Sequence, residues 1–310
     1  MAVIGYLFTA AGYQYVNLGK KVYDSAWIVR QYYDKVEKKY QDFKINKLSF
    51  IGPQEELSKE ENGIIINGVY QRGIFDLLKE YRVTPEQMMG YKSGEIMALA
   101  SAEAISFEDA IDFLFKKREI ILEEVGTDFF HHALVNSVPV TETGKLVSEL
   151  KKRIKIEIVS YNGKDSSIIM YEKKAHQVIT DIFKKLNANL IDLPNEEYAC
   201  FSILQPVADK LREEFLKIKI DKPRYRVLCQ TTGQYYESVQ EIKEKFVDYV
   251  FKPSRIDLCL EMMLKNGVNT FVEIGAGTFL SRMAKKMDSG KRCLNTNDLA
   301  EIQKTIKLAN

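Results

Sequence analysis

Short apolar runs and longer amphipathic stretches alternate along this chain, and their order predicts an α/β fold with a mostly parallel sheet. Ile4-Gly5-Tyr6-Leu7-Phe8 is an unbroken apolar run, the mark of a strand buried on both faces. Helical spacing follows over about 25–43 and 66–81, and the second stretch leads through Val83-Thr84-Pro85 to Gly90-Tyr91-Lys92-Ser93-Gly94-Glu95. It resumes from Ile96 to Ala102. Ser106, with Asp109 three residues on, reads as an N-cap opening a helix to about Val125.

From Ala133 to Pro194 the elements shorten. Strand patterns at 133–139, 156–161, 167–171 and 188–193 alternate with helical patterns at 143–153 and 176–186, and Asn162-Gly163-Lys164-Asp165 makes a turn between the middle strands. That βαββαβ order predicts a ferredoxin-like subdomain at 129–195, inserted into a core made of 1–128 and 196–310. Helices are predicted near 202–218, 238–250 and 255–266. A strand is predicted near Val227, and a last one, Thr270 to Ile274, runs into Gly275-Ala276-Gly277.

Composition narrows the function classes. The 310 residues are 45% hydrophobic and carry a net charge of +2, which supports a large core and gives no field for nucleic acid. Cys200, Cys229, Cys259 and Cys293 are far apart, with no paired spacing for a zinc site or a disulfide framework, so a reduced, cytoplasmic protein is expected. The apolar start at Val3 to Ala11 lacks a basic lead and is expected to be a strand rather than a signal sequence. No run reaches membrane-spanning length. No metal is expected, because His131 and His132 are adjacent, as at a turn, and His176 is distant. No cofactor motif stands out: Gly275-Ala276-Gly277 lacks the residues of a phosphate loop and reads as a strand-to-helix turn.

The chemistry concentrates at the glycine-flanked turn. A strand-turn-helix of this kind raises one side chain above a sheet, and esterase-type enzymes place Ser or Cys at its centre. Here the centre is Lys92. A buried ammonium with lowered pKa is an amine nucleophile. A paired or solvated one is a plug. Cys200 is a reactive thiol only if a cation lowers its pKa, and is otherwise an apolar filler. Ser93 keeps a hydroxyl beside the turn.

Several collinear motifs resemble the malonyl-CoA:acyl carrier protein transacylases and the acyltransferase domains of polyketide synthases, over essentially the whole chain. They are the glycine elbow, Ser106-Phe107-Glu108-Asp109-Ala110, Pro206-Val207-Ala208-Asp209-Lys210-Leu211, Phe251-Lys252-Pro253, Lys265-Asn266-Gly267-Val268 and Glu273-Ile274-Gly275-Ala276-Gly277. The resemblance implies an α/β-hydrolase-like core. It also carries roles onto positions: nucleophile at Lys92 with Tyr91 before it, catalytic base at Cys200, oxyanion hole at Ser93 and Ala11, carboxylate-binding cation at Lys117 or the adjacent Arg118, and a further polar lining residue at Tyr249. The side chains match the framework (Gly12, Gln14, Gly90, Gly94, Glu95, Gly275, Gly277) and depart at the chemistry.

The resemblance therefore implies a pseudoenzyme of polyketide or fatty-acid type biosynthesis that binds an acyl carrier protein or another synthase component. Tyr91, Tyr249 and Phe201 are expected to narrow the channel against coenzyme A thioesters. The basic residues Lys116, Lys117, Arg118, Lys285, Lys286, Lys291 and Arg292 suit an acidic partner. The alternative is an active, diverged acyltransferase or thioester hydrolase using Lys92, Cys200 or Ser93.

Overall fold

In the computed structural model, which describes residues 2–124, 130–193 and 197–308, these patterns fold into two sheets with helices packed against them. In chain order the strands are β1 (Ile4–Phe8), β2 (Gln87–Gly90), β3 (Phe130–Asn136), β4 (Ile156–Gly163), β5 (Ser166–Glu172), β6 (Asn189–Asp192), β7 (Arg226–Leu228), β8 (Ser254–Arg255), β9 (Thr270–Ile274) and β10 (Arg292–Asn295). The first sheet has the order β10-β9-β1-β2-β7, and every pairing in it is parallel. β1 lies at its centre with all five residues buried, which is why the run carries no polar alternation.

The second sheet has the order β6-β3-β5-β4-β8. Its pairings are antiparallel except for β8, which joins the β4 edge in parallel. Two helices, Val140–Leu150 and His176–Lys185, link its strands. Both faces are covered by apolar packing, so period two sorts neighbours into different cores. Ala133, Val135, Ile169 and Tyr171 pack with Ile179 and Phe183 beneath the helices, whereas Leu134, Ile168 and Met170 join the main core. The domain boundaries expected at 128/129 and 195/196 lie outside the described residues, as does the expected end of the fourth helix at Val125.

Differences from the sequence reading are local. The second long helix begins at Glu60, not Ile66. The expected helix from Ser238 to Val250 is α-helical only at Val239–Lys245 and tightens to a 3₁₀ turn over Phe246–Val250. β10 and the terminal helix Leu299–Ile306 had no predicted counterpart.

Candidate functional site

The turn after β2 has the expected strand-turn-helix geometry. β2 ends at Gly90, the helix Gly94–Ser101 begins four residues later, and Lys92 between them has φ 50°, a left-handed conformation that costs a side-chain-bearing residue about 1–2 kcal/mol. Only glycine fits at either flank. A Cβ on Gly90 would lie 2.2 Å from the Glu95 backbone, and one on Gly94 would lie 2.3 Å from the Phe8 carbonyl oxygen. Gln230, two residues past β7, holds the strained residue from both sides: its Oε1 accepts from the Lys92 N–H at 2.7 Å, and its Nε2 donates to the Lys92 carbonyl at 3.0 Å.

What the turn raises is an ammonium sealed inside the protein. Lys92 is 0% exposed, so its stem does not reach out to solvent; Nζ donates to the Glu197 carbonyl at 2.6 Å. The Glu197 side chain folds back over the turn. Its carboxylate accepts from the Ser93 N–H at 3.2 and 3.3 Å and from Ser93 Oγ at 2.6 Å, and it forms an ion pair with Lys117 Nζ. Lys117 and Glu197 side chains are both 0% exposed. One internal carboxylate thus takes a backbone amide, a hydroxyl and a cation at once. Arg118 faces elsewhere: its guanidinium lies over the Phe43 ring, 5.6 Å from the centroid.

Around this pair the predicted lining residues gather. The Tyr249 ring lies 5.4 Å from Lys117 Nζ, the Tyr91 ring lies 5.3 Å from Lys92 Nζ, and Phe201 is buried. The Cys200 N–H donates to the Tyr249 carbonyl at 2.9 Å, and Cys200 Sγ contacts Ser254 Oγ at 3.1 Å. Ala11 is buried after β1, and the Gly12 N–H donates to Gln14 Oε1 at 2.9 Å. The Gly275-Ala276-Gly277 turn lies at the end of β9. Its three amides donate to Thr296, Asn67 and Asn297, which suits a structural turn and leaves no phosphate cradle.

Burial pushes the Cys200 thiol up to about 11, against the opposing pull of Lys92. The thiol is the resting form near neutral pH and an unreactive one. Iodoacetamide at neutral pH is therefore expected to label the half-buried Cys293 ahead of Cys200. Peptide mapping checks this, and a Cys200 thiolate well below pH 7 that vanishes in Lys92→Met would revive a Lys–Cys pair.

Two further carboxyls are held protonated. Glu60 stands 3.8 Å from Lys117 Nζ, and burial raises it to about 8 while the Lys117 charge pulls it down. Burial likewise raises Glu95 to about 8, opposed by hydrogen bonds from Tyr236 at 2.6 Å and from Gln230. Between their ordinary value of 4.5 and about 8, the folded chain keeps protons that the unfolded chain has released. Stability must then fall as pH rises through that window. Urea midpoints across it are expected to decline, and Glu60→Gln to flatten the slope.

No family model matches the chain. Malonyl CoA-acyl carrier protein transacylase of Bacillus subtilis is 25% identical over 319 aligned residues, covering 99% of this chain and 97% of that one. The crystal structure of the Clostridium perfringens transacylase is 28% identical with a TM-score of 0.90, covering 99% and 97%. Both likenesses support the malonyl-CoA:acyl carrier protein transacylase family. A third structure, described as a type II PKS acyl-carrier protein in complex with its malonyl-transacylase, shares the fold at 21% identity and a TM-score of 0.92, covering 99% of this chain and 100% of that one.

Set on the transacylase fold, the sequence-predicted residues Lys92, Ser93, Lys117, Tyr91, Tyr249 and Cys200 converge on one buried site, and Arg118 does not. Sequence reasoning missed Glu197, Glu60 and Gln230. Gln230 carries a weak signal in following an apolar strand pattern; Glu197 carries none beyond an acidic residue three before Cys200. The histidines also differ from expectation. His131 and His132 lie on β3 rather than at a turn, and the fold brings His131 beside His176 despite their separation in sequence.

Proposed function

We propose that this protein is a catalytically degenerate acyltransferase homologue of polyketide or fatty-acid type biosynthesis, a pseudoenzyme that binds an acyl carrier protein or another synthase component. One observation carries the reading: the Glu197 carboxylate occupies the Ser93 amide and the Lys117 cation together, inside the protein. The resemblance assigns that amide to the thioester oxygen and that cation to a substrate carboxylate. A malonyl group would have to displace a buried, paired carboxylate, which costs several kcal/mol. Lys92 and Cys200 stand at the nucleophile and base positions without the Ser and His those roles need. Ser93 and Ala11 take the oxyanion positions, Tyr91, Lys117, Arg118 and Tyr249 the substrate positions, and Gly12, Gly90, Gly94, Glu95, Gly275 and Gly277 the framework. On this reading, 129–195 is a ferredoxin-like subdomain inserted into an α/β-hydrolase-like core of 1–128 and 196–310; the order β6-β3-β5-β4 supports it.

The carrier-protein partner rests on the solved complex of a fold relative and on charge. A surface groove of about 500 Å³ is lined by Arg282, Lys285, Lys291 and Arg292, beyond the Gly277 turn. Titrating a labelled acyl carrier protein with this chain is expected to shift its amide NMR signals at low salt and less at high salt, because exposed pairs are screened. Arg282→Glu is expected to weaken the shifts. No shift at low salt removes the carrier protein as partner.

One contact favours the alternative of a diverged thioester hydrolase: the Ser93 hydroxyl donates to a carboxylate at 2.6 Å, the relation of a nucleophile to a base. Burial at 3% exposure opposes it. Acylation by malonyl-CoA or acetyl-CoA that disappears in Ser93→Ala is the result that would establish it.

A further inference from the structure

His131, His176 and Asp192 each offer a ligand atom, and those atoms all lie within 4.8 Å of one another. His131 projects from β3 and Asp192 from β6, where Asp192 pairs with Ala133, so the two are diagonal neighbours on one sheet face. His131 Nε2 stands 3.0 Å from Asp192 Oδ1. His176 opens the helix His176–Lys185, and its ring centroid lies 4.6 Å from that of His131. His176 Nδ1 is 3.0 Å from Tyr171 Oη, which leaves Nε2 as the ring nitrogen available to an ion.

We propose that His131, His176 and Asp192 bind a divalent transition-metal ion of the zinc class, with water in the open position. Two imidazoles and one carboxylate are the donors such ions prefer, and carboxylate-only chemistry for magnesium or calcium is absent from the set. Ligands on a tetrahedral ion with bonds of about 2.0–2.1 Å stand a little over 3 Å apart. The His131–Asp192 contact at 3.0 Å is close to that spacing, and, with the three ligand atoms within 4.8 Å of one another, a small adjustment of the His176 ring about its Tyr171 contact would bring in the third ligand. Tyr171 orients the ligand. Its hydroxyl, 3.0 Å from His176 Nδ1, can accept from that nitrogen, and the hydrogen bond would hold the tautomer that presents Nε2 to an ion. Asp192 is 53% exposed and His131 19%, so the ion enters from solvent. The bound ion would tie β6, the most exposed strand of the second sheet, to β3 and to the covering helix.

The test uses the full chain stripped with a chelator, then titrated with Zn(II), with Co(II) as a spectroscopic probe and Mg(II) as a control. One saturable ion per chain is expected for Zn(II) and Co(II), with no response to Mg(II) and a rise in melting temperature with Zn(II). Amide shifts should centre on His131, His176 and Asp192. His176→Gln and Asp192→Asn should each weaken binding by about a hundredfold or more, and Tyr171→Phe by about tenfold. Asp192→Asn changes an exposed side chain, so a folding defect does not mask the outcome. Absence of saturable binding below about a millimolar overturns the proposal. So does binding that His176→Gln and Asp192→Asn leave intact, which would place the ion on other groups such as the cysteines.

Discussion

Lys117→Met is expected to destabilise the protein by about 3–5 kcal/mol, the largest effect of a single substitution at the site. The change removes the cation from a fully buried pair and leaves the Glu197 carboxylate facing Ser93 without its ion-pair partner, while Lys92 Nζ is engaged by the Glu197 carbonyl. An ion left in an apolar interior costs more than its lost attraction, since desolvation was already suffered on folding. The double variant Lys117→Met with Glu197→Leu removes both charges and should recover most of the loss. Denaturant unfolding of the four proteins completes the cycle. A loss below about 1 kcal/mol in the single variant means that water reaches the pair or that Glu197 does not hold the position described.

No acyl-enzyme is expected when the native chain meets malonyl-CoA, and restoring the reaction should require three changes together. Lys92→Ser supplies a hydroxyl without a base. Adding Cys200→His supplies the base. Neither clears Glu197, whose carboxylate still holds the Ser93 amide, so Glu197→Gly is the third change. Nucleophile and base act as a unit, and removal of one costs nearly as much as removal of both. The single variants should therefore differ little from the native chain, and the triple variant should acylate faster by a factor on the order of 10³ or more. Intact-mass measurement against time reads the outcome. A stable adduct on the native chain that disappears in Lys92→Ala sinks the pseudoenzyme reading.

Legibility from sequence differed residue by residue, for physical reasons. Gly90 and Gly94 were readable because the turn brings backbone atoms within 2.2–2.3 Å of where a Cβ would stand, and only glycine satisfies that. The strand β1 was readable because burial on both faces leaves an unbroken apolar run. The choice between Lys117 and Arg118 was not readable. Neighbours on a helix point about 100° apart, and only packing shows that Lys117 turns toward Glu197 while Arg118 lies over Phe43. The helix start at Glu60 was obscured by its polar first turn, though acidic residues suit a helix N-terminus.

The amino-acid order alone determined the alternation of strands and helices, the glycine-shaped turn with Lys92 at its centre, and a cysteine rather than a histidine at position 200. These are local properties, set by side-chain period and by backbone conformations that few residues tolerate. The tertiary structure alone decided what fills the site. Glu197 is 104 residues from Ser93 and 80 from Lys117. Its carboxylate reaches them because the fold sets Glu197 against the turn that follows β2, where Lys117 also points. It stays there because a buried charge must find a cation and donors or remain unburied. The gathering of His131, His176 and Asp192 has the same origin: strand pairing and helix packing bring together groups whose spacing along the chain carries no periodic signal.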